Sequence, residues 1–306
     1  MSESIQSGKK ISTLSPVTLS PAVRAAGGSE AGSLKDGQLL ERELLSRHAR
    51  NVSLYVVTYA AQGLRVKGYL AVPDHAEPLP AVVYCRGGIR RVGMVRIRRI
   101  VSMARRGCVV FAPFYRGNEG GEGREDFAGE DRYDVYHGLL MLRDLPEVAS
   151  VPVSLIGFSR GALMALLAAR DCEEVGPVVV WGGVSDLHDT YEERVDLRRM
   201  LKRVVGHPLK QADEYIRRSP ARWADLIDSP VLIVHGTADP QVNVSHAYKL
   251  AAALEHAGKD HTMLIYEGLE HRFPKEMDEV ALDEVFRWME QKRNEIEGKK
   301  SKKEEN

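Results

Sequence analysis

The chain has 306 residues, 43% hydrophobic and 28% charged, enough for one large α/β domain with a sizeable core. Its 43 Lys and Arg balance its 43 Asp and Glu, so no global field favours a nucleic acid or an anionic membrane as partner. Cys85, Cys108 and Cys172 form neither a disulfide framework nor a metal-ligand spacing, and the chain shows no secretory leader pattern and no apolar run of about eighteen residues, so a cytoplasmic protein with reduced thiols is expected.

Residues 1–37 are rich in Ser, Gly, Pro and Ala without apolar periodicity, and 297–306 form a charged tail; both are expected to be disordered, leaving 38–296 as the domain. NVSLYVVTYAAQGLRVKGYLAVP predicts a hairpin turning at Gln62 and Gly63, because β-branched and aromatic residues crowd both arms. Six short apolar runs follow, PAVVYCRG, GCVVFAPF, VPVSLIGF, GPVVVWGG, SPVLIVHG and HTMLIYEG, alternating with helical periods. Ile97, Ile100, Val101 and Ala104 mark one such helix, and Leu250 and Leu254 lie on another. The pattern predicts an α/β fold: a doubly wound, mainly parallel sheet opened by an antiparallel hairpin. The longer, charged connection at about 186–226 is expected to form a small helical cap over the C-terminal edge of the sheet.

In such sheets ligands sit beyond the carboxyl ends of the strands, so chemistry is sought there. GFSRG, residues 157–161, joins a strand to a helix and places Ser159 between two glycines. One reading is a helix cap; the other is a nucleophile on a strained elbow. A serine hydroxyl needs a base oriented by a carboxylate. Asp239 in HGTADPQV and His271 in EGLEHRF follow the next strands, and the order Ser159, Asp239, His271 is that of an α/β-hydrolase triad. Asp186 is a rival acid, ranked behind Asp239, and His235, His246, His256 and His261 read as structural or solvated. For the oxyanion hole the candidates are the backbone N–H of Arg160 and that of Gly87 or Gly88, with the Arg86 guanidinium as an additional donor.

FAPFYRGNEGGEG, GFSRGA and the long block from SPARWADL to LEHRF carry a resemblance. They resemble the catalytic domain of the prolyl oligopeptidase family of serine peptidases, over roughly 240 residues. The resemblance implies an α/β-hydrolase that works through an acyl-enzyme, with Ser159 attacking, His271 moving the proton and Asp239 holding the imidazole, and it implies no metal or organic cofactor. Relatives often carry a β-propeller before this domain; here about fifty residues precede the hairpin, and Arg86 stands where relatives often have tyrosine or histidine. Short peptides or peptide-like amides are the expected substrates. Small esters or lactones are the alternative, and a silent hydrolase-fold binding protein is the second alternative.

The arginine-rich stretch RGGIRRVGMVRIRRIVSMARR already has an apolar stripe for the core, so its charges read mainly as a solvated face rather than a nucleic-acid site. Arg86, Arg90 and Arg91 near the site are candidates to receive a substrate carboxylate, and RGNEGGEGRED, lacking the P-loop Lys, is expected to be a flexible rim. A homo-oligomer is compatible with all of this.

Overall fold

Strands β2 (Val52–Ala61) and β3 (Leu64–Pro73) form the expected hairpin, paired antiparallel from Val52↔Pro73 to Ala61↔Leu64. Its two-residue turn has positive φ at both Gln62 (51°) and Gly63 (73°), the I′ geometry whose twist matches the flanking strands. The computed structural model describes residues 34–48, 51–173 and 175–304, so the expectation of disorder over 1–37 lies outside the described residues for 1–33 and is corrected at its end, where Gly37 N–H donates to Ala60 O at 2.9 Å and Asp36 accepts the Gln62 N–H at 2.6 Å. A strand absent from the sequence reading precedes the hairpin: β1 (Leu39–His48), antiparallel to β2 at the sheet edge. Its sequence LLERELLSRH lacks the apolar run of a buried strand because, at the edge, most of it faces solvent.

The six predicted parallel strands are β4 (Ala81–Cys85), β5 (Val109–Pro113), β6 (Val153–Phe158), β7 (Val175–Trp181), β8 (Val231–Gly236) and β9 (His261–Tyr266). The nine strands run in the order β1-β2-β3-β5-β4-β6-β7-β8-β9, antiparallel up to β5 and parallel from β5 to β9. This is the expected α/β-hydrolase sheet. The chain enters the parallel part at β4, steps outward to β5, then crosses to β6 on the other side. The order therefore reverses between β4 and β6, and the crevice beyond their ends is where ligands of open α/β sheets bind.

One face of the sheet carries α1 (Ile97–Ala104) and the C-terminal helix, packed through Ile100, Val101, Met103, Leu282, Val285 and Met289. The other carries α2 (Tyr133–Arg143), α3 (Gly161–Asp171) and α7 (Ser245–His256), and a larger core. Between β7 and β8 lie α4 (Leu187–Glu193), α5 (Arg198–Val204) and α6 (Ala212–Arg217) with short 3-10 turns, so the 186–226 connection is helical as expected. Leu187, Tyr191, Leu201, Tyr215 and Trp223 bury their side chains in the core of that second face, which makes these helices part of the domain.

The last helix, α8 (Lys275–Glu304), corrects the reading of 297–306 as a featureless tail. Apart from Gly298 and Ser301, its Lys- and Glu-rich end is made of good helix formers that extend a helix already nucleated by packing. The arginine face of α1 is not simply solvated either. Arg99 pairs with Asp278, and Arg106 lies 2.6 Å from Asp283 and 3.0 Å from Glu279, so the acidic first turns of α8 neutralise it. No helix among the described residues is long and apolar enough to cross a membrane.

Candidate active site

The turn from β6 into α3 is tight enough to dictate its residue types. A Cβ at Gly157 would fall 2.5 Å from the Gly161 carbonyl oxygen, and one at Gly161 would collide with the Cys85 carbonyl. Both positions therefore require glycine. Ser159 between them has φ of 57°, a left-handed conformation that costs a non-glycine residue on the order of 1 kcal/mol or more. Its N–H donates to the Trp181 carbonyl of β7 at 2.9 Å, which holds the strained residue at the sheet end. The side chain is half-exposed and makes no hydrogen bond to any described residue, so it is not the helix cap of the alternative reading. A Cβ at Gly87 would lie 2.7 Å from the Ser159 Cβ and 3.3 Å from its Oγ, so the backbone after β4 is in contact with the serine across the crevice.

Asp239 and His271 meet beyond β8 and β9. His271 Nδ1 is 2.6 Å from Asp239 Oδ2, both groups buried. Oδ1 of the same carboxylate accepts from the N–H groups of Gln241 at 2.8 Å and Val242 at 3.0 Å. Burial pushes the Asp239 carboxyl up, but His235, His271 and the Val242 N–H outweigh it and hold the group well below the usual carboxylate range. An ionised carboxylate only accepts, so Nδ1 of His271 donates to it. The two loops are stitched together by Thr237 N–H to Tyr266 O and Ala238 N–H to Leu269 O, each 3.0 Å. The His271 ring stacks 4.8 Å from Phe158, the residue before the serine. Gly182, directly after Trp181, packs against the pair: its Cβ would sit 3.2 Å from His271 Nδ1 and 3.4 Å from Asp239 Oδ2, and its φ is 52°.

Beneath the elbow lies a buried cluster of charges. Glu125 pairs with Arg86 through Oε1, lies 3.2 Å from Arg160 Nη1 through Oε2, and accepts the Arg90 N–H at 3.0 Å. Arg86 also donates to the carbonyls of Phe114 (2.8 Å) and Gly87 (3.1 Å). Arg160 lies 3.3 Å from Asp131 and over the Tyr115 ring at 4.8 Å. The expectation that the Arg86 guanidinium adds to the oxyanion hole or touches substrate is thereby corrected. It is fully buried and its donors are committed to Glu125 and backbone carbonyls, since a buried guanidinium requires such partners. The N–H groups of Arg160, Gly87 and Gly88 have no partner among the described residues; Arg160 follows Ser159 in the chain and Gly87 packs against it. A Cβ at Gly88 would collide with the Val92 carbonyl, and its φ is 67°.

A model of the prolyl oligopeptidase family matches residues 94–295, two thirds of the chain. The chain belongs to the prolyl oligopeptidase family. It is 44% identical over 243 residues to the uncharacterized peptidase YtmA of Bacillus subtilis (strain 168), covering 79% of this chain and 95% of that one. Among solved structures it is similar to the uncomplexed acylaminoacyl peptidase of Pyrococcus horikoshii, with TM-score 0.70 and 19% identity over 79% of this chain and 42% of that one. A puromycin-hydrolyzing peptidase of Mycobacterium tuberculosis gives TM-score 0.69 and 24% identity over 83% of this chain and 39% of that one. These structures share its fold, and it spans well under half of their length.

Membership of the prolyl oligopeptidase family makes the chain an enzyme of the serine hydrolase type. Asp186 caps α4 and is engaged by Arg222 at 2.9 Å and Lys249 at 3.6 Å, so it is not the imidazole's partner. His235 donates from Nε2 to the Val242 carbonyl at 2.9 Å, beneath the acid loop. His246 is buried on α7 and accepts from the Ser185 N–H at 3.2 Å, His256 ends that helix, and His261 opens β9. No group of three or more His, Cys, Asp or Glu among the described residues is arranged to hold a metal ion. Two residues escaped the sequence reading. Gly182 had a signal, a glycine pair directly after an apolar strand, whereas Glu125 had none, lying at the end of a glycine-rich stretch that reads as a loose rim. That stretch is pinned by Gly117 N–H to Glu122 O at 2.7 Å and Glu122 N–H to Arg65 O at 2.9 Å.

Proposed function

We propose that this chain is a serine peptidase that opens short peptides or peptide-like amides through an acyl-enzyme on Ser159. The observation that carries the reading is the convergence on one crevice of a strained, half-exposed Ser159 and a buried His271–Asp239 pair joined at 2.6 Å. Ser159 Oγ bonds to the scissile carbonyl carbon while its proton passes to His271 Nε2. The oxyanion is received by the N–H of Arg160 and that of Gly87 or Gly88, of which Gly87 stands against the serine. On collapse the C–N bond breaks and the imidazolium returns the proton to the leaving amine. Water then repeats the cycle: its proton goes to Nε2, its oxygen to the acyl carbon, and Ser159 leaves reprotonated. Asp239, held ionised, orients the ring and stabilises the imidazolium without taking the proton. Ser159 and His271 are not hydrogen-bonded here, and such contacts tighten on substrate binding.

Peptide rather than ester substrates are favoured by the family match and by the relative named as a peptidase. A cytoplasmic setting belongs to the same reading, supported by three free cysteines. The test is labelling with a fluorophosphonate probe, read by intact mass, on the wild type and on Ser159→Ala. One adduct that disappears in the variant is expected, followed by turnover of a matched amide as well as its ester; a folded wild type that takes no label would overturn the proposal.

A further inference from the structure

The turn after Gly87 and the 116–125 loop line a cleft of about 930 Å³. Its rim carries Arg90, Arg91 and Arg124, all exposed, against one exposed carboxylate, Glu119. Among the described residues none of those three guanidiniums has an ion-pair partner, whereas Arg116, which also reaches the cleft, is held by Asp134 at 2.8 Å. Unpaired guanidiniums gathered in a recess focus a positive potential and present forked donors that match a carboxylate in geometry. The apolar part of the lining comes from Ile89 and Val92, the latter 68% exposed. An aliphatic stem ending in a carboxylate fits that combination.

The cleft is also preformed and close to the chemistry. Arg90 has φ of 55°, a strained conformation, and its N–H is held by Glu125, the same carboxylate that pairs with Arg86 and Arg160. Three Cα steps of 3.8 Å separate Arg90 from Gly87, so its backbone lies within about 11 Å of the residue that touches Ser159.

We propose that this cleft is a carboxylate-binding subsite, built by Arg90 and Arg124 with Arg91 at its edge, which selects peptides bearing a negative charge close to the cleaved bond. The inference rests on the peptidase reading. The carboxylate is supplied by an acidic side chain or by the peptide's free C-terminus, and the chemistry that recognises it is the same.

The experiment uses the full chain and two matched pairs of peptides, one differing in Glu against Gln, the other in a free against an amidated C-terminus. Dissociation constants are measured on Ser159→Ala, so that binding is read without turnover, and kcat/KM is measured on the active chain. The carboxylate member of at least one pair should bind about tenfold more tightly, the sum of two charged contacts in a partly desolvated recess. That advantage should shrink with added salt and vanish in Arg90→Ala/Arg124→Ala, while binding of the neutral member stays unchanged. The pair that responds identifies the source of the charge. Equal binding within both pairs, or a preference that survives the double variant, overturns the subsite. Preferential binding without fluorophosphonate labelling of Ser159 would instead leave the subsite standing and remove the peptidase reading.

Discussion

Two groups of arginines, one adjoining Ser159 and Gly87 in the chain and one lining the neighbouring cleft, have opposite fates. Arg86 and Arg160 are buried beneath the elbow and share Glu125; Arg90, Arg91 and Arg124 stand open around the neighbouring cleft with no ion-pair partner among the described residues. The first group holds position: Arg86 and Arg160 are chain neighbours of Gly87 and Ser159, so the Glu125 bridge fixes the distance between the two backbone segments that meet at Ser159. The second group is free to meet a ligand. The difference teaches that a guanidinium beside an active site is informative only with its partner known, since burial commits it to structure.

Removing Glu125 should expose that difference most strongly. Glu125→Ala leaves two buried guanidiniums facing each other and is expected to cost about 3–5 kcal/mol in urea unfolding. A loss below about 1 kcal/mol would mean that both arginines reach water and that the two groups differ in name only.

Asp131 gives an effect of intermediate size with a distinctive pH signature. Burial drives its carboxyl up to about 7 against the pull of Arg160, with Asp126 adding to the rise. The folded state thus holds a proton that the unfolded carboxyl, near about 3.9, releases earlier, so stability falls as pH climbs between those two values. In Asp131→Asn that fall is removed. The Tm of the variant relative to the wild type should be higher at about pH 8 than at about pH 5; a difference independent of pH would show that Asp131 is ionised throughout and as well paired as a surface carboxylate.

The smallest effect should come from the open group. Arg90→Ala and Arg124→Ala are expected to shift unfolding by no more than about 0.5 kcal/mol each, because no described partner loses a contact. A destabilisation several times larger would place them in the structure rather than on a binding surface.

Much of this site was legible before any coordinates. Parallel strands here are short, apolar and punctuated, so all six stood out, the half-exposed edge strand β9 included, and chemistry at their ends could be sought at Ser159, Asp239 and His271. The hairpin turn at Gln62 and Gly63 was marked by its residues. Edge strand β1 was hidden because its side chains face water on much of their surface, and the last turns of α8 were hidden because a charged helix end resembles a charged tail. Arg86 was misread for the same reason that Glu125 was missed: charged residues carry no label of burial in a sequence.

The sequence by itself determined the hairpin, the six parallel strands, the elbow and the chain order Ser159, Asp239, His271, since apolar periodicity and glycine placement are local properties enforced by sterics and solvent. Only the tertiary structure decided which charges neutralise one another. Glu125 reaches Arg86 across 39 positions and Arg160 across 35, and electrostatic partnership at such separations depends on distance and burial in space, which no local pattern encodes.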